Sequence, residues 1–292
     1  PRLPGDARLH SRHLGLVPPP EHPDLAELGP RLVEQVGSRL DMPAIFDLAR
    51  HAPRVGWAPE HAVHPGQGGG LRIGYLHDSA FTFYYPENLE CLESAGATLV
   101  PISSLTARAL PAGLHALYIG GGFPETHASA IAANRAFLDD LRQHAQAGMP
   151  IYAECGGLIL LARALRQGDT VSPMAGVLPC EVELCAAPQG HGYAELMVET
   201  PNPFFPTGLL LRGHEFHYSR LVSANEPPPT ACSVRRGTGC VGGRDAIVVH
   251  NVWAAYTHLH AAATPEWAPA LLGAARACSQ WASPAHNVGA LV

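Results

Sequence analysis

A chain of 292 residues, 47% of them hydrophobic, can bury a sizeable core and fits one large domain or one domain with a piece of another. Its formal net charge of -6 is the wrong sign for a phosphate-backbone binder, so nucleic acid is not an expected partner. No apolar run approaches the roughly 18 to 20 residues that span a bilayer, and the first residues hold no secretory core, so no membrane is expected and the chain reads as cytoplasmic.

Residues 1–70 read as irregular, with Pro-rich LVPPPEHP and HPGQGGG enclosing one helix, DLAELGPRLVEQVGSRL, whose interior Pro30 predicts a break or a helix start. The first residue is Pro1, not methionine, which leads to the expectation of a fragment or processed chain. HAVHPGQGGG (61–70) reads as a linker, because glycine and proline without periodicity cannot pack a core. After it the pattern changes.

LRIGYLHD (71–78) is a predicted strand, YPENLECLESAG (85–96) a helix ended by Gly96, and ATLVPIS (97–103) a second strand. ALYIGGGFPE (116–125) predicts a third strand running into three glycines. HASAIAANRAFLDDLRQHAQAG (127–148) predicts one long helix stopped by Gly148, followed by the strand MPIYAE (149–154) and the helix GGLILLARAL (156–165). Near the C-terminus, AIVVHNVWAAYTHLHAAATPEWAPALL (246–272) predicts a strand, a second extended stretch, His258, and a helix opened by proline. Strands alternating with helices imply parallel pairing, so the predicted fold is α/β, a doubly wound, mostly parallel sheet.

Ligand chemistry in such sheets gathers at the carboxyl ends of the strands, where Cys155 falls. A residue on the tight turn between strand and helix is expected to stand exposed at the helix N-terminus, whose positive end favours thiolate. Gly156 and Gly157 then allow close approach of substrate to the backbone. A free cysteine is otherwise most often a small buried hydrophobe; the strand-turn-helix setting favours the nucleophile. Its base need not be near in sequence. His258 lies at a strand end, and His260, two residues on, shares its face, so chemistry alone leaves the two open.

Other residue types narrow the chemistry. The seven cysteines are an odd number without Cys-x-x-Cys spacing, so neither a disulfide framework nor a zinc site is expected. The stretch GHEFH (His214, Glu215, His217) does not have the i, i+4 histidine spacing of a helical metal site, and no metal is assigned. All 19 basic residues are arginine, so a phosphate-cradling G-x-x-x-x-G-K-[ST] loop is impossible on this chain.

Four stretches carry a resemblance: DSAFTFYYPENLECLESAGA, the run 118–165 from YIGGGFPETHAS through IYAECGGLILLARAL, RGHEFHYSRL and AAYTHLHAAA. Together they resemble the glutamine amidotransferase half of the cobyrinic (hydrogenobyrinic) acid a,c-diamide synthase family, over residues 71–272. RHLGLVPPPEHPDLAELGPRL is similar to the tail of that family's preceding ATP-binding domain. The resemblance implies two domains: residues 1–70 as the tail of a P-loop-type domain plus linker, and residues 71–292 as a class I glutamine amidotransferase domain. It implies ammonia release from glutamine, and amidation of a corrinoid with ATP and magnesium bound outside this chain. Implied partners are glutamine, the corrinoid and the ATP-binding domain, with a homodimer left open.

Transferred residue by residue, the nucleophile falls on Cys155, and the histidine of Y-x-H-x-x-F/A falls on His258, which decides against His260. Many class I glutaminases have an acid two residues after that histidine, where this chain has His260. The expectation is therefore a Cys155–His258 dyad. Oxyanion donors are expected from the backbone of Gly156 and of Gly121 or Gly122. Tyr85 and Asn88 are expected to face the partner domain or the large substrate, Phe81 and Phe83 to be core, and Glu215 to orient substrate or His217. Related alternatives are a cobyric acid synthase-type or nickel-tetrapyrrole amidase, or a non-catalytic tetrapyrrole-binding module of the same fold.

Overall fold

The structure, a computed structural model, describes residues 11–12, 15–16, 25–54, 66–222 and 226–278. By its contacts the chain divides into two units, Pro1–Glu60 and His61–Val292. In the first, β1 (Ser11–Arg12) pairs antiparallel with β2 (Gly15–Leu16), and two helices follow, α1 (Leu25–Gly37) and α2 (Met42–His51). Pro30 lies inside α1, so the expected break or start there is not found. Helix α2 is an element the sequence reading lacked, although its signal is present. Asp41 caps it by accepting the Ala44 N–H at 3.0 Å, with a proline in the first turn. The Pro-rich stretch 17–24 lies outside the described residues.

The second unit begins with a turn at Gly66–Gly70 pinned to Ala95 by the N–H groups of Gly66 and Gly68, so these residues of the expected linker are tied down. Residues 61–65 lie outside the described residues. Next come β3 (Arg72–Leu76), α3 (Pro86–Ser94), β4 (Thr98–Ile102) and β5 (Ala116–Ile119). After a 3-10 turn at Pro124–His127 come α4 (Ala128–Ala133), α5 (Arg135–Gln146), β6 (Ile151–Glu154) and α6 (Gly156–Leu161).

Two predicted helices differ. The long helix is broken at Asn134, whose backbone leaves the helical region (φ -83°, ψ 59°) while its side-chain amide donates to the carbonyls of Ser104 and Ala107. Such side-chain bonding competes with helix continuation. Helix α6 stops at Leu161, and the predicted remainder becomes β7 (Ala164–Gln167), a strand paired to β8 (Thr170–Pro173) and β9 (Glu181–Leu184). Here strand partners override the helix propensity of LARAL.

The chain then builds β10 (Gly190–Val198), β11 (Leu210–His217), β12 (Ser219–Val222), β13 (Thr230–Arg236), β14 (Arg244–Val249), β15 (Val252–Ala255), β16 (His258–Leu259) and α7 (Trp267–Ala277). Ten strands form one sheet in the order β16-β11-β10-β13-β14-β15-β6-β5-β3-β4, and four form a second, β12-β9-β7-β8. From β15 to β4 the pairing is parallel; from β15 outward to β16 it is antiparallel. This is the expected α/β class, with an antiparallel wing added.

The parallel strands β5, β6 and β15 are buried along their whole length, which is why they read as continuous apolar runs. One face packs Leu117, Ile119, Leu158 and Phe137; the other packs Tyr118, Tyr152, Trp253 and Trp267. Order along the sheet reverses between β3 and β5, and the loops that follow β5, β6 and β15 come together beside that reversal.

Candidate active site

Cys155 is the first residue beyond β6, and its backbone (φ 46°, ψ -94°) is left-handed, a conformation that costs a non-glycine residue about 1–3 kcal/mol. Two neighbours hold it there. Its N–H donates to Ala255 O at 2.7 Å, and the turn is pressed against β5 so closely that a Cβ on Gly157 would sit 2.5 Å from Ile119 O. The glycine after the turn therefore admits the protein's own backbone, where the sequence reading had assigned it to substrate. Gly157→Ala is expected to cost about 2 kcal/mol and lower the thermal midpoint by roughly 5 °C, read by circular dichroism. Cys155 is only 9% exposed, a narrower opening than the exposed turn expected from sequence. Its sulfur reaches toward Phe216 O at 3.9 Å.

His258 opens β16, paired opposite His214 on β11. Its ring is wedged against Phe83 (5.0 Å between centroids, edge-on) and stacked on His214 (5.0 Å, 18°). Burial acts to lower its proton affinity. Hydrogen bonding to Cys155 and Glu154, with their negative charge, outweighs burial and pushes His258 up to about 10. His258 thus faces Cys155 as imidazolium at neutral pH. His214 goes the other way, lowered to about 4 by burial and by the charge of His258, and stays neutral.

Close packing explains the glycines of IGGG. A Cβ on Gly121 would lie 2.7 Å from His258 Cε1, so Gly121 makes room for the imidazole. The Gly121 N–H is already committed to Phe83 O at 3.1 Å. The nitrogen of Gly122 lies 3.0 Å from where a Gly156 Cβ would stand. Of the two glycines the sequence left open as donors, the geometry favours Gly122.

His260 sits past the end of β16, in a turn closed by Ala263 N–H to His260 O. It pairs with Glu87 at 3.5 Å and packs on Tyr85 at 4.5 Å, so the same-face expectation fails because the strand ends at Leu259. Asn88, expected to face a partner, is fully buried, donating to Leu259 O at 2.9 Å and accepting from Ala261 N–H at 2.7 Å. Phe81 is core as expected, but Phe83 is 42% exposed beside His258. Tyr85 hydrogen-bonds His214 at 2.8 Å. Glu215 accepts the N–H groups of Thr238 and Gly239 and lies 3.7 Å from His217 Nε2, a buried latch on the 237–239 loop.

One residue of the site was missed. Glu154, the last residue of β6 and 1% exposed, places Oε2 3.5 Å from His258 Nδ1. The signal for it was a carboxylate ending an otherwise apolar buried strand, directly before the nucleophile candidate.

This architecture is that of the class I glutamine amidotransferases. PurLQS from Thermotoga maritima shares it at a TM-score of 0.53 and 15% identity, over 72% of this chain and 97% of that one. Residues 72–266 match the CobB/CobQ-like glutamine amidotransferase domain, and the chain belongs to that family. It is 40% identical over 272 residues to the cobyrinate a,c-diamide synthase of Magnetococcus marinus, covering 90% of this chain and 57% of that protein. With the cobyrinate a,c-diamide synthase of Syntrophotalea carbinolica it shares 39% over 274 residues, covering 92% and 58%. The chain thus spans less than two thirds of the length of these relatives.

Proposed function

We propose that this chain is the glutaminase part of an ATP-dependent, glutamine-hydrolysing ligase that converts the a and c carboxylates of cobyrinic or hydrogenobyrinic acid to amides in cobalamin biosynthesis. The observation that carries the reading is Cys155 on a strained turn at the carboxyl end of β6, with His258 buried beside it and protonated. Similarity to the two diamide synthases supports the corrinoid as the acceptor.

The sulfur of Cys155 attacks the side-chain amide carbon of glutamine, and the carbonyl becomes an oxyanion facing the N–H groups of Gly156 and Gly122. His258 gives its proton to the nitrogen, the C–N bond breaks, and ammonia leaves. Water, losing a proton to His258, then cleaves the thioester and frees glutamate. Neutral His214 offers no charge to hold the product back.

The residues of this chain do not fit an ATP and magnesium site. It has no lysine for a phosphate loop, and among the described residues no group of three His, Cys, Asp or Glu could hold a metal ion. We read residues 1–70 as the tail of the ATP-binding domain plus linker, and residues 71–292 as the glutaminase. The exposed Val33, Phe46 and Leu48 on α1 and α2 support this, as apolar surface suited to a larger domain. Among the described residues no helix is long and apolar enough to cross a membrane; a cytoplasmic site of action is part of the proposal.

Incubating the chain with glutamine, ATP, magnesium and cobyrinic acid tests it: ammonia and glutamate are expected, without amidated corrinoid. Amide formation by this polypeptide alone, or no ammonia from a folded sample, would refute the reading. Glutaminase activity should fall on an alkaline limb near pH 10. His258 carries the proton it must deliver below that value and has lost it above. Stability follows the same sign: a histidine raised in the folded state contributes fully below its unfolded value near 6.5, and that contribution is lost as pH rises through about 10.

A further inference from the structure

We propose that Glu154, the residue directly before Cys155, is the acid that orients His258, taking the place of an acid two residues beyond the histidine. The proposal rests on the glutaminase reading and deepens it. Its basis is the network around the carboxylate. Oε1 accepts the Leu259 N–H at 3.0 Å, and Oε2 accepts the Tyr118 hydroxyl at 3.2 Å. Tyr118 is itself contacted by Asn88 Nδ2 at 3.4 Å. Asn88 also holds the backbone on both sides of His260, through Leu259 O and Ala261 N–H. Strands β5, β6 and β16 and helix α3 thereby fix one carboxylate in one place, with Oε2 at 3.5 Å from His258 Nδ1.

That Nδ1 is buried and makes no aligned hydrogen bond to any group, with Glu154 Oε2 at 3.5 Å the carboxylate oxygen placed to accept one. A buried imidazole nitrogen without a partner is costly, and catalytic contacts are often long before substrate binds and tighten afterwards. Glu154 at Nδ1 keeps the proton on that nitrogen and leaves Nε2 for the sulfur, the division of labour that a carboxylate imposes on a catalytic histidine. His260, in the usual position of the acid, is committed to Glu87 and Tyr85. Glu154 is therefore a positioning residue, acting through His258.

The groups facing this pair from every side are Cys155, His214, Tyr84, Tyr85, Tyr118 and Tyr152. Burial raises all four tyrosines and lowers His214, so these five are neutral at pH 7. Glu154 and Cys155 are left as the groups whose interactions raise His258.

Glu154→Gln tests this, because the amide retains an oxygen for the Leu259 N–H while an uncharged NH2 donor replaces the Oε2 acceptor that faces His258 Nδ1. In the ¹⁵N-histidine spectrum of the parent chain, His258 should titrate near 10 with Nδ1 protonated; in Glu154→Gln the midpoint should drop by about one unit or more. The kcat for glutamine should fall by roughly 10²-fold, with KM within threefold and the alkaline limb moving down together with the histidine. An unmoved midpoint overturns the proposal, whether activity is kept or lost, since a merely structural glutamate would leave the titration in place. If Glu154→Gln does not fold, the parent spectrum decides: His258 titrating near 6.5, or protonated at Nε2 alone when neutral, overturns it. Should the parent release no ammonia while the midpoint still shifts, the glutaminase reading fails and the Glu154 assignment stands.

Discussion

Cys155→Ser should abolish glutamine cleavage, with kcat falling on the order of 10⁴-fold or more, as when the nucleophile of a comparable acyl-transfer site is removed. Serine is nearly isosteric, and the sulfur's approach to Phe216 O is loose, at 3.9 Å, so the fold should survive. The thermal midpoint is expected within roughly 3 °C of the parent. The turn that strains Cys155 is backbone-held by Ala255 and by the clearance at Gly157, and neither depends on the side chain. Ammonia release measured beside a melting curve separates the two effects. Residual turnover within tenfold of the parent in the folded serine variant would remove Cys155 from the chemistry.

The second large effect separates two histidines. His258→Ala is expected to lower kcat by about 10²- to 10⁴-fold, because it removes the proton donor to ammonia and the cation beside the sulfur. His260→Ala should cost less than about tenfold, since His260 is partly exposed and its contact with Glu87 at 3.5 Å lies near the surface, where such contacts contribute little. A larger loss at His260 would mean that the base is misassigned. The steady-state rates of the two variants, measured in one assay at pH 8, decide it.

The parallel half of the fold was legible because its strands are buried on both faces and carry unbroken apolar runs between glycine stops: LRIGYL, ALYIGGG, IYAECGG. Cys155 was legible for the same reason, as the residue where such a run meets two glycines. Of the antiparallel wing only the strand at AIVVH was read, as β14; β10, β11 and β13 were not. Strand β10 alternates buried and exposed positions imperfectly, and LARAL scores as helix until its partners β8 and β9 claim it as a strand. Asn134 broke a helix through two hydrogen bonds to a loop 27 and 30 residues away, a cause no local pattern displays.

In the site, His258 could be told from His260 only by resemblance. The physical reason, the end of β16 at Leu259, appears in three dimensions. Glu154 was hidden by its place in a strand, where a carboxylate looks like a tolerated polar residue. Its meaning comes from Tyr118 and His258, which are 36 and 104 residues distant in sequence. Gly121 and Gly122 looked interchangeable; the bond from Gly121 N–H to Phe83 O distinguishes them.

Burial pushes the thiols of Cys91, Cys180, Cys185, Cys232, Cys240 and Cys278 up, Cys180 to about 12, so six of the seven cysteines should be poor nucleophiles. The most direct test of Cys155 as the glutaminase nucleophile is to treat the folded chain at pH 7.5 with a chloroketone analogue of glutamine and map the adducts by mass spectrometry. The account predicts a single adduct, on Cys155, slowed by added glutamine. An unmodified Cys155 in a folded sample, or labelling spread over the other cysteines with no protection by glutamine, would contradict it.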